Sequence, residues 1–223
     1  MTQQADTMNH PCTYSKQLHP HLRQLLAGAH RALDPFAGIG TFHQLLPESC
    51  EGVGVEIEPE WAAQHPNTVL GDSHYLIAMF GLNAFDTVVS SPVYPNGCAD
   101  NFRPADTSRR YTYRAALGGR PLTEGSTAGV GRGLNRKHNE MHTAIAQQIV
   151  GVLQPDGRLI WNVKDVIAAG QIVPVVQWWA DLWATLGLRP IDRIDIPCPG
   201  IRHGTNRAAR VDTEAVLVYR KPR

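Results

Sequence analysis

The chain has 223 residues, 43% of them hydrophobic and 18% charged, with a formal net charge of +1; that is enough apolar sequence for one globular domain with a full core. It holds no apolar run of about 18 residues, which argues against a membrane span, and its polar start, Met1-Thr-Gln-Gln-Ala-Asp-Thr7, lacks the basic and apolar stretches of a secretion signal. Cys12, Cys50, Cys98 and Cys198 form no C-x-x-C pair, so reduced thiols in a cytoplasmic protein are expected, with no metal site.

Residues 1–13 read as a loose tail. From Tyr14 to Leu26 the leucines at 18, 22, 25 and 26 keep a helical spacing, with Pro20 in the first turn, where a helix tolerates it. A short strand, Ala32-Leu33-Asp34, then runs into Pro35-Phe36-Ala37-Gly38-Ile39-Gly40, and a helix is predicted from Thr41 to Leu46. Two glycines spaced G-x-G let the backbone turn sharply and lie close against a ligand, and a helix start points free N–H groups at it. Gly52 to Ile57 is a second strand, Pro59 opens a helix, and Thr68 to Gly71 is a third strand ending at Asp72. A helix over His74–Phe80 and a fourth strand over Phe85–Ser90 follow. Strands alternating with helices predict a parallel sheet with helices on both faces.

Residues 95–137 break the alternation: they are rich in Gly, Arg, Thr, Asn and Pro and keep no period, as functional insertions do. From His138 a helix carries Met141, Ile145, Ile149, Val152 and Leu153 on one face. Pro155-Asp156-Gly157 reads as a turn, Arg158–Val163 as a fifth strand, and Val173–Leu186 as a helix whose Trp178, Trp179 and Trp183 pack in the core. Ile191–Ile196 and Ala215–Tyr219 are closing strands around a second irregular segment, 198–212. Residues 98–140 hold eight Lys/Arg against four acids, as do residues 189–223, so the rest of the chain is net acidic. Two basic segments on an acidic body suggest a polyanionic partner bound on one side.

Three acids fall at successive strand ends. Asp34 closes the first. Glu56 lies about 20 residues further on at the end of the second, where an acid accepts hydrogen bonds from ribose hydroxyls. Asp72, after the third, is placed to meet an adenine amine. In open α/β sheets ligands bind at these carboxyl ends. The fourth strand ends in Ser90-Ser91-Pro92-Val93-Tyr94-Pro95-Asn96. Ser91 Oγ and nearby backbone carbonyls can accept from an N–H, Pro92 stiffens the turn, and Tyr94 offers a flat face, a combination that suits an exocyclic amine on an aromatic base.

Asp34-Pro-Phe-Ala-Gly-Ile-Gly-Thr41 resembles the S-adenosylmethionine-binding motif of class I methyltransferases. Ser91-Pro-Val-Tyr94 resembles the Asp/Asn/Ser-Pro-Pro-Tyr motif of the amino-methyltransferases that act on adenine or cytosine in DNA. Gly54–Trp61, Asn162-Val-Lys-Asp165 and Pro199–Asp212 add a likeness to small stand-alone DNA-methylase-like proteins of phages and actinobacteria. The resemblance implies a Rossmann-like class I fold with a seven-stranded, mostly parallel sheet, spanning residues 1–223 as one domain with basic loops at 95–137 and 198–212. It implies S-adenosylmethionine as cofactor, held by Tyr14, Lys16, Asp34, Phe36, Gly38, Gly40, Thr41, Glu56, Ile57, Asp72 and Ser73. Catalysis falls to Ser91, Pro92 and Tyr94. DNA contact falls to Asn96, Arg109, Arg110, Arg202, Arg207 and Arg210, in a monomer or homodimer. One departure stands out: the second proline of the catalytic motif is Val93 here, which reduces backbone rigidity. RNA bases, a protein glutamine amide, or cofactor binding without turnover stay open as alternatives.

Overall fold

The structure, a computed structural model, describes His10 and residues 13–95, 112–129, 133–198 and 210–223. Asn96, Arg109, Arg110, Arg202 and Arg207, with Cys12, Cys98 and most of the tail, lie outside the described residues.

All seven strands expected from the sequence form, and they make one sheet: β1 (Arg31–Asp34), β2 (Glu51–Glu56), β3 (Thr68–Leu70), β4 (Phe85–Ser90), β5 (Leu153–Val163), β8 (Arg189–Pro197) and β9 (Thr213–Arg220). Their order is β3-β2-β1-β4-β5-β9-β8. The first five run parallel, β9 runs antiparallel to β5, and β8 antiparallel to β9. The chain therefore steps outward through β1, β2 and β3, then restarts on the other side of β1 with β4. That reversal opens a crevice at the carboxyl ends of β1 and β4.

Side chains alternate between the faces, as strand geometry demands. Val88, Leu159, Trp161 and Leu217 face one core, with α5 (Arg136–Val152) and α6 (Val175–Thr185). Val89, Ile160, Val216 and Val218 face the other, with α1 (His19–Leu26) and Phe42. Trp179 and Trp183 enter the core as expected, while Trp178 is half-buried against it. Trp161, Trp179 and Trp183 are fully buried, with Trp161 4.8 and 5.1 Å from the other two rings. β8 is mostly exposed and alternates Asp192, Arg193 and Asp195 along the sheet edge, charge that discourages pairing with another chain.

Several elements differ from the sequence expectation. The first helix begins at His19 rather than Tyr14, because Pro20 has to sit in its first turn. The predicted Thr41–Leu46 helix is a 3₁₀ turn over Thr41–Leu45, ended by Leu46, which is extended as the residue before Pro47 must be. No full helix start therefore faces the glycine turn. The expected turn at Pro155-Asp156-Gly157 forms with Asp156 at positive φ, but it interrupts β5 rather than preceding it; register with β4 passes from Leu153 opposite Phe85 to Arg158 opposite Thr87. A hairpin, β6 (Val166–Ala168) and β7 (Gln171–Val173), occupies a stretch with no predicted element, joined by Ala169 and Gly170, both at positive φ, as two-residue hairpin turns require. α2 (Pro59–Ala62) and α3 (Leu76–Phe80) fall where expected. Within 95–137 the described part is not structureless: α4 (Tyr113–Ala116) and a 3₁₀ turn (Thr127–Gly129) form there. No helix among the described residues is long and apolar enough to cross a membrane.

Candidate functional site

A cavity of about 420 Å³ opens at the carboxyl ends of β1, β2, β4 and β5. Its floor is the crevice between β1 and β4. Asp34 ends β1 and is buried; its carboxylate accepts from Ser90 Oγ at 2.6 Å, from the Tyr14 hydroxyl at 3.0 Å and from the Phe36 N–H at 3.0 Å. Burial pushes this carboxyl up to about 6, although the Ser90, Phe36 and Tyr14 donors each pull it down. Burial, and then the neighbouring Asp34 charge, raises the Tyr14 phenol well above its ordinary value. Asp34 thus ties the two strands of the reversal together and fixes the turn that follows.

That turn docks on β2 through the Ala37 N–H to the Val55 carbonyl at 3.0 Å. Gly38, at a φ of 53°, donates its N–H to Glu56 Oε2 at 2.8 Å and lines the cavity. A Cβ on Gly38 would lie 3.2 Å from the His10 ring, which itself stands edge-on to Trp61 at 4.3 Å. Gly40 is not among the residues that line the cavity; it holds a left-handed φ of 76°, and a Cβ there would lie 2.6 Å from His65 Cβ. That turn and that close approach both require glycine.

Glu56, at the end of β2, is buried and accepts from the Gly38 and Glu58 N–H groups, each at 2.8 Å. Burial raises its carboxyl to about 7, against the Glu58, Gly38 and Ile57 N–H groups. A carboxylate has roughly four acceptor sites, so Glu56 keeps acceptor capacity for a ligand. Asp72 follows β3 and caps the next turn, accepting from the His74 N–H at 2.9 Å and facing His74 Nδ1 at 2.7 Å. Ser73 donates to the Pro35 carbonyl at 2.5 Å, locking the glycine turn from below. At the end of β4, Ser91 Oγ lies 3.2 Å from the Tyr94 hydroxyl, which donates to Asn162 Oδ1 at 3.4 Å.

Of the residues singled out in the sequence, the cavity gathers Tyr14, Asp34, Phe36, Gly38, Thr41, Glu56, Ile57, Asp72, Ser73, Ser91, Pro92 and Tyr94. It leaves out Lys16, which is exposed although Tyr14 and Ser15 beside it turn inward, because the turn before α1 points it to solvent. It also leaves out Arg210, which precedes β9.

The sequence reading missed the residues that cover the cavity. Tyr113 and Ser126–Ala128 line it from within the 95–137 segment. Arg120 anchors that cover: Nη2 donates to Glu58 at 2.7 Å, Nε donates to Glu60 at 2.6 Å, and a second contact reaches Glu60. The Thr123 hydroxyl and N–H also donate to Glu58, at 2.8 and 3.1 Å. Tyr113, Leu117 and Ala128 close on Trp61, with Val93 packed against the group. Val93, which departs from the motif, thus links the serine turn to the cover. Gly125, at a φ of 89°, rides directly over Asp72; a Cβ there would lie 2.7 Å from Asp72 Oδ2. Nothing in the period or composition of 112–128 marks this packing. Asn162 and Lys164, quoted in the sequence only for their likeness and given no site role, sit at the end of β5, where the strand-end rule used for Glu56 would have assigned them one.

No protein-family model matches the chain, and no curated protein matches it. Solved structures do. A SAM-dependent methyltransferase from Archaeoglobus fulgidus shares 13% identity over 92% of this chain and 93% of its own, with a TM-score of 0.55. The N-methyltransferase NodS from Bradyrhizobium japonicum WM9, in complex with S-adenosyl-L-homocysteine, shares 12% over 93% and 87%, with a TM-score of 0.53. The 1,6-didemethyltoxoflavin-N1-methyltransferase of Burkholderia thailandensis, with bound 1,6-didemethyltoxoflavin and S-adenosylhomocysteine, shares 16% over 99% and 80%, with a TM-score of 0.52. The chain therefore has the Rossmann-like class I methyltransferase fold.

Proposed function

We propose that the chain is an S-adenosylmethionine-dependent methyltransferase that methylates the exocyclic amine of cytosine or adenine in DNA. One observation carries the reading: the Ser91-Pro92-Val93-Tyr94 turn opens into the same cavity as Asp34, Gly38, Glu56 and Asp72.

The cavity suits the cofactor. Its volume falls within the roughly 300–1,000 Å³ of small-molecule sites. Glu56 has acceptors to spare for the ribose diol, Asp72 stands at the next strand end for the adenine amine, and Gly38 brings backbone close without a side chain. Bound there, S-adenosylmethionine supplies a methyl on a sulfonium: the base nitrogen's lone pair forms the N–C bond, the C–S pair stays on sulfur, and the nitrogen releases a proton to water. The protein's part is to bind and orient. Ser91 Oγ and the backbone at Pro92 accept the amine's N–H groups and draw its lone pair out of the ring. Tyr94 presents its ring face to the base. Holding amine and methyl in line supplies roughly 7–11 kcal/mol of the barrier. A duplex base must first leave the stack, at a cost of a few kcal/mol.

The basic segments 98–140 and 189–223 support a nucleic-acid substrate through phosphate contact. Asn96, Arg109, Arg110, Arg202, Arg207 and Arg210 are the proposed contacts. The test is mass spectrometry of nucleosides from host DNA with and without expression, with Tyr94→Ala as control. A methylated base that depends on Tyr94 is expected. Absence of any methylated base from duplex and single-stranded DNA refutes the DNA reading, and methyl transfer to RNA alone would redirect it.

A further inference from the structure

A third apolar cluster, separate from the two that flank the sheet, roofs the cavity. Trp61 of α2 is buried there with Tyr113, Leu117 and Ala128 of the cover; Ile39 of the glycine turn and Val93 of the serine turn pack against them. The roof thus joins the cofactor turn, the serine turn and the cover. Small satellite clusters under connecting segments belong to the less stable parts of a fold, from which ligand-closing elements are drawn.

Val93 is the point at which the serine turn meets this roof. The next residue, Tyr94, packs instead against the core of α5 and α6, and its hydroxyl lies 3.2 Å from Ser91 Oγ. A proline in place of Val93 would hold φ near −65° by its own ring. Valine leaves φ free, and its branched side chain, stiff at χ1, ties the backbone to whatever it packs on. The Val93 N–H makes no hydrogen bond among the described residues, so no local bond replaces the ring. What holds this half-buried residue is the cover. The cover in turn stands on the cofactor side of the cavity. Arg120 and Thr123 donate to Glu58, Gly125 rides over Asp72, and Ser126, Thr127 and Ala128 line the cavity. A ligand between Glu56 and Asp72 would complete the inner face of that cover.

We propose that Val93 is a positioning residue that makes the serine turn conditional on the cover: a bound cofactor, by completing the cover, sets the turn for the acceptor amine and tightens DNA binding. This rests on the reading of the serine turn as the amine site. The coupling is reciprocal, so DNA at the turn tightens the cofactor by the same factor. A proline at 93 would set the turn without the cover and remove the dependence.

The test uses the full chain, S-adenosylhomocysteine and a duplex oligonucleotide that contains both cytosine and adenine, with the oligonucleotide Kd read by fluorescence anisotropy. In the wild type, saturating S-adenosylhomocysteine is expected to tighten the oligonucleotide at least about fivefold, the lower end of usual coupling between sites. Val93→Ala, which removes the packed methyl groups, is expected to cut that factor below about twofold, and Val93→Ile to restore it. A purely structural loss would weaken binding alike with and without S-adenosylhomocysteine and leave the factor unmoved. Single-turnover methyl transfer completes a double-mutant cycle: Arg120→Met is expected to slow the wild type about tenfold and Val93→Pro less than about twofold. Wild-type oligonucleotide affinity that ignores S-adenosylhomocysteine overturns the proposal without any variant. So does Val93→Ala with the wild-type factor, or equal slowing by Arg120→Met in both backgrounds. A wild type that binds S-adenosylhomocysteine yet methylates neither base overturns the amine reading itself, and the coupling falls with it. Methylation without coupling leaves the amine reading standing and removes only the role of Val93.

Discussion

Replacing Glu56 with glutamine tests the cofactor site with little change of shape. Burial pushes this carboxyl up from 4.5 to about 7, outweighing the Glu58, Gly38 and Ile57 N–H donors. At 1.36 kcal/mol per pH unit, the fold prefers the neutral acid by roughly 3 kcal/mol. A ribose diol that donates to the carboxylate reverses that preference. Binding therefore releases a proton below pH 7: affinity is fully present above about 7 and is lost as pH falls through it. For the wild type, the Kd for S-adenosylhomocysteine should weaken about tenfold from pH 8 to pH 6. Glu56→Gln removes the charge-assisted bonds, worth roughly 1.5–3 kcal/mol, so at pH 8 its Kd should rise about 10- to 150-fold. It should also lose the Glu56 share of the pH slope. Titration calorimetry at pH 6, 7 and 8, in two buffers of different ionisation enthalpy, reads both affinity and proton release. A variant within twofold of wild type at pH 8, or a wild type with equal affinity and no proton release at pH 6, would refute the assignment. The melting temperature of the variant guards against misfolding as the cause of lost binding.

Arg120→Met should loosen the cover over Asp72 and Trp61. Glu58, buried, then loses its cationic partner, and S-adenosylhomocysteine should dissociate several-fold faster in stopped-flow measurements; an unchanged off-rate counts against the cover. Ser91→Ala should lower kcat by roughly 10²-fold with cofactor affinity retained, by analogy with removing one preorganised hydrogen-bonding group from a reaction site; equal single-turnover rates would rule out Ser91 as amine acceptor. His142 is buried, and burial, with His138 beside it, lowers its pKa to about 3. The neutral ring is thus favoured by folding, and its stability contribution is complete above about 6.5 and declines as pH falls toward 3. His142→Phe should therefore gain on wild type by about 1 kcal/mol on going from pH 7 to pH 5.5 in urea unfolding; a constant difference across that range would show that His142 does not titrate with unfolding. Trp161→Ala should cost about 3–5 kcal/mol, since its side chain is fully buried between Trp179 and Trp183; a loss below about 1 kcal/mol in the same assay would show a poorly packed centre.

Local sequence was enough for the strands, for the acids at their ends and for both cavity-lining turns. Period and turn chemistry act over a few residues, and an acid that ends a buried strand must emerge at the sheet's edge wherever that strand lies. Hence Asp34, Glu56, Asp72, Ser91 and Tyr94 were legible before any coordinates and do meet in one cavity. What each of them does there depended on partners distant in the chain. Asp34 meets Ser90 only because strand order places β4 beside β1. Glu214, at the start of an antiparallel strand, reaches the rim only because β9 inserts next to β5. Gly38 and Gly40 look alike in a G-x-G motif, yet one lines the cavity and the other makes room for His65. Residues 112–128 carry no period, and their order comes from Glu58, Trp61 and Asp72, which a local reading cannot bring to them. Periodicity records which way a residue points, and only the packed sheet decides what it meets.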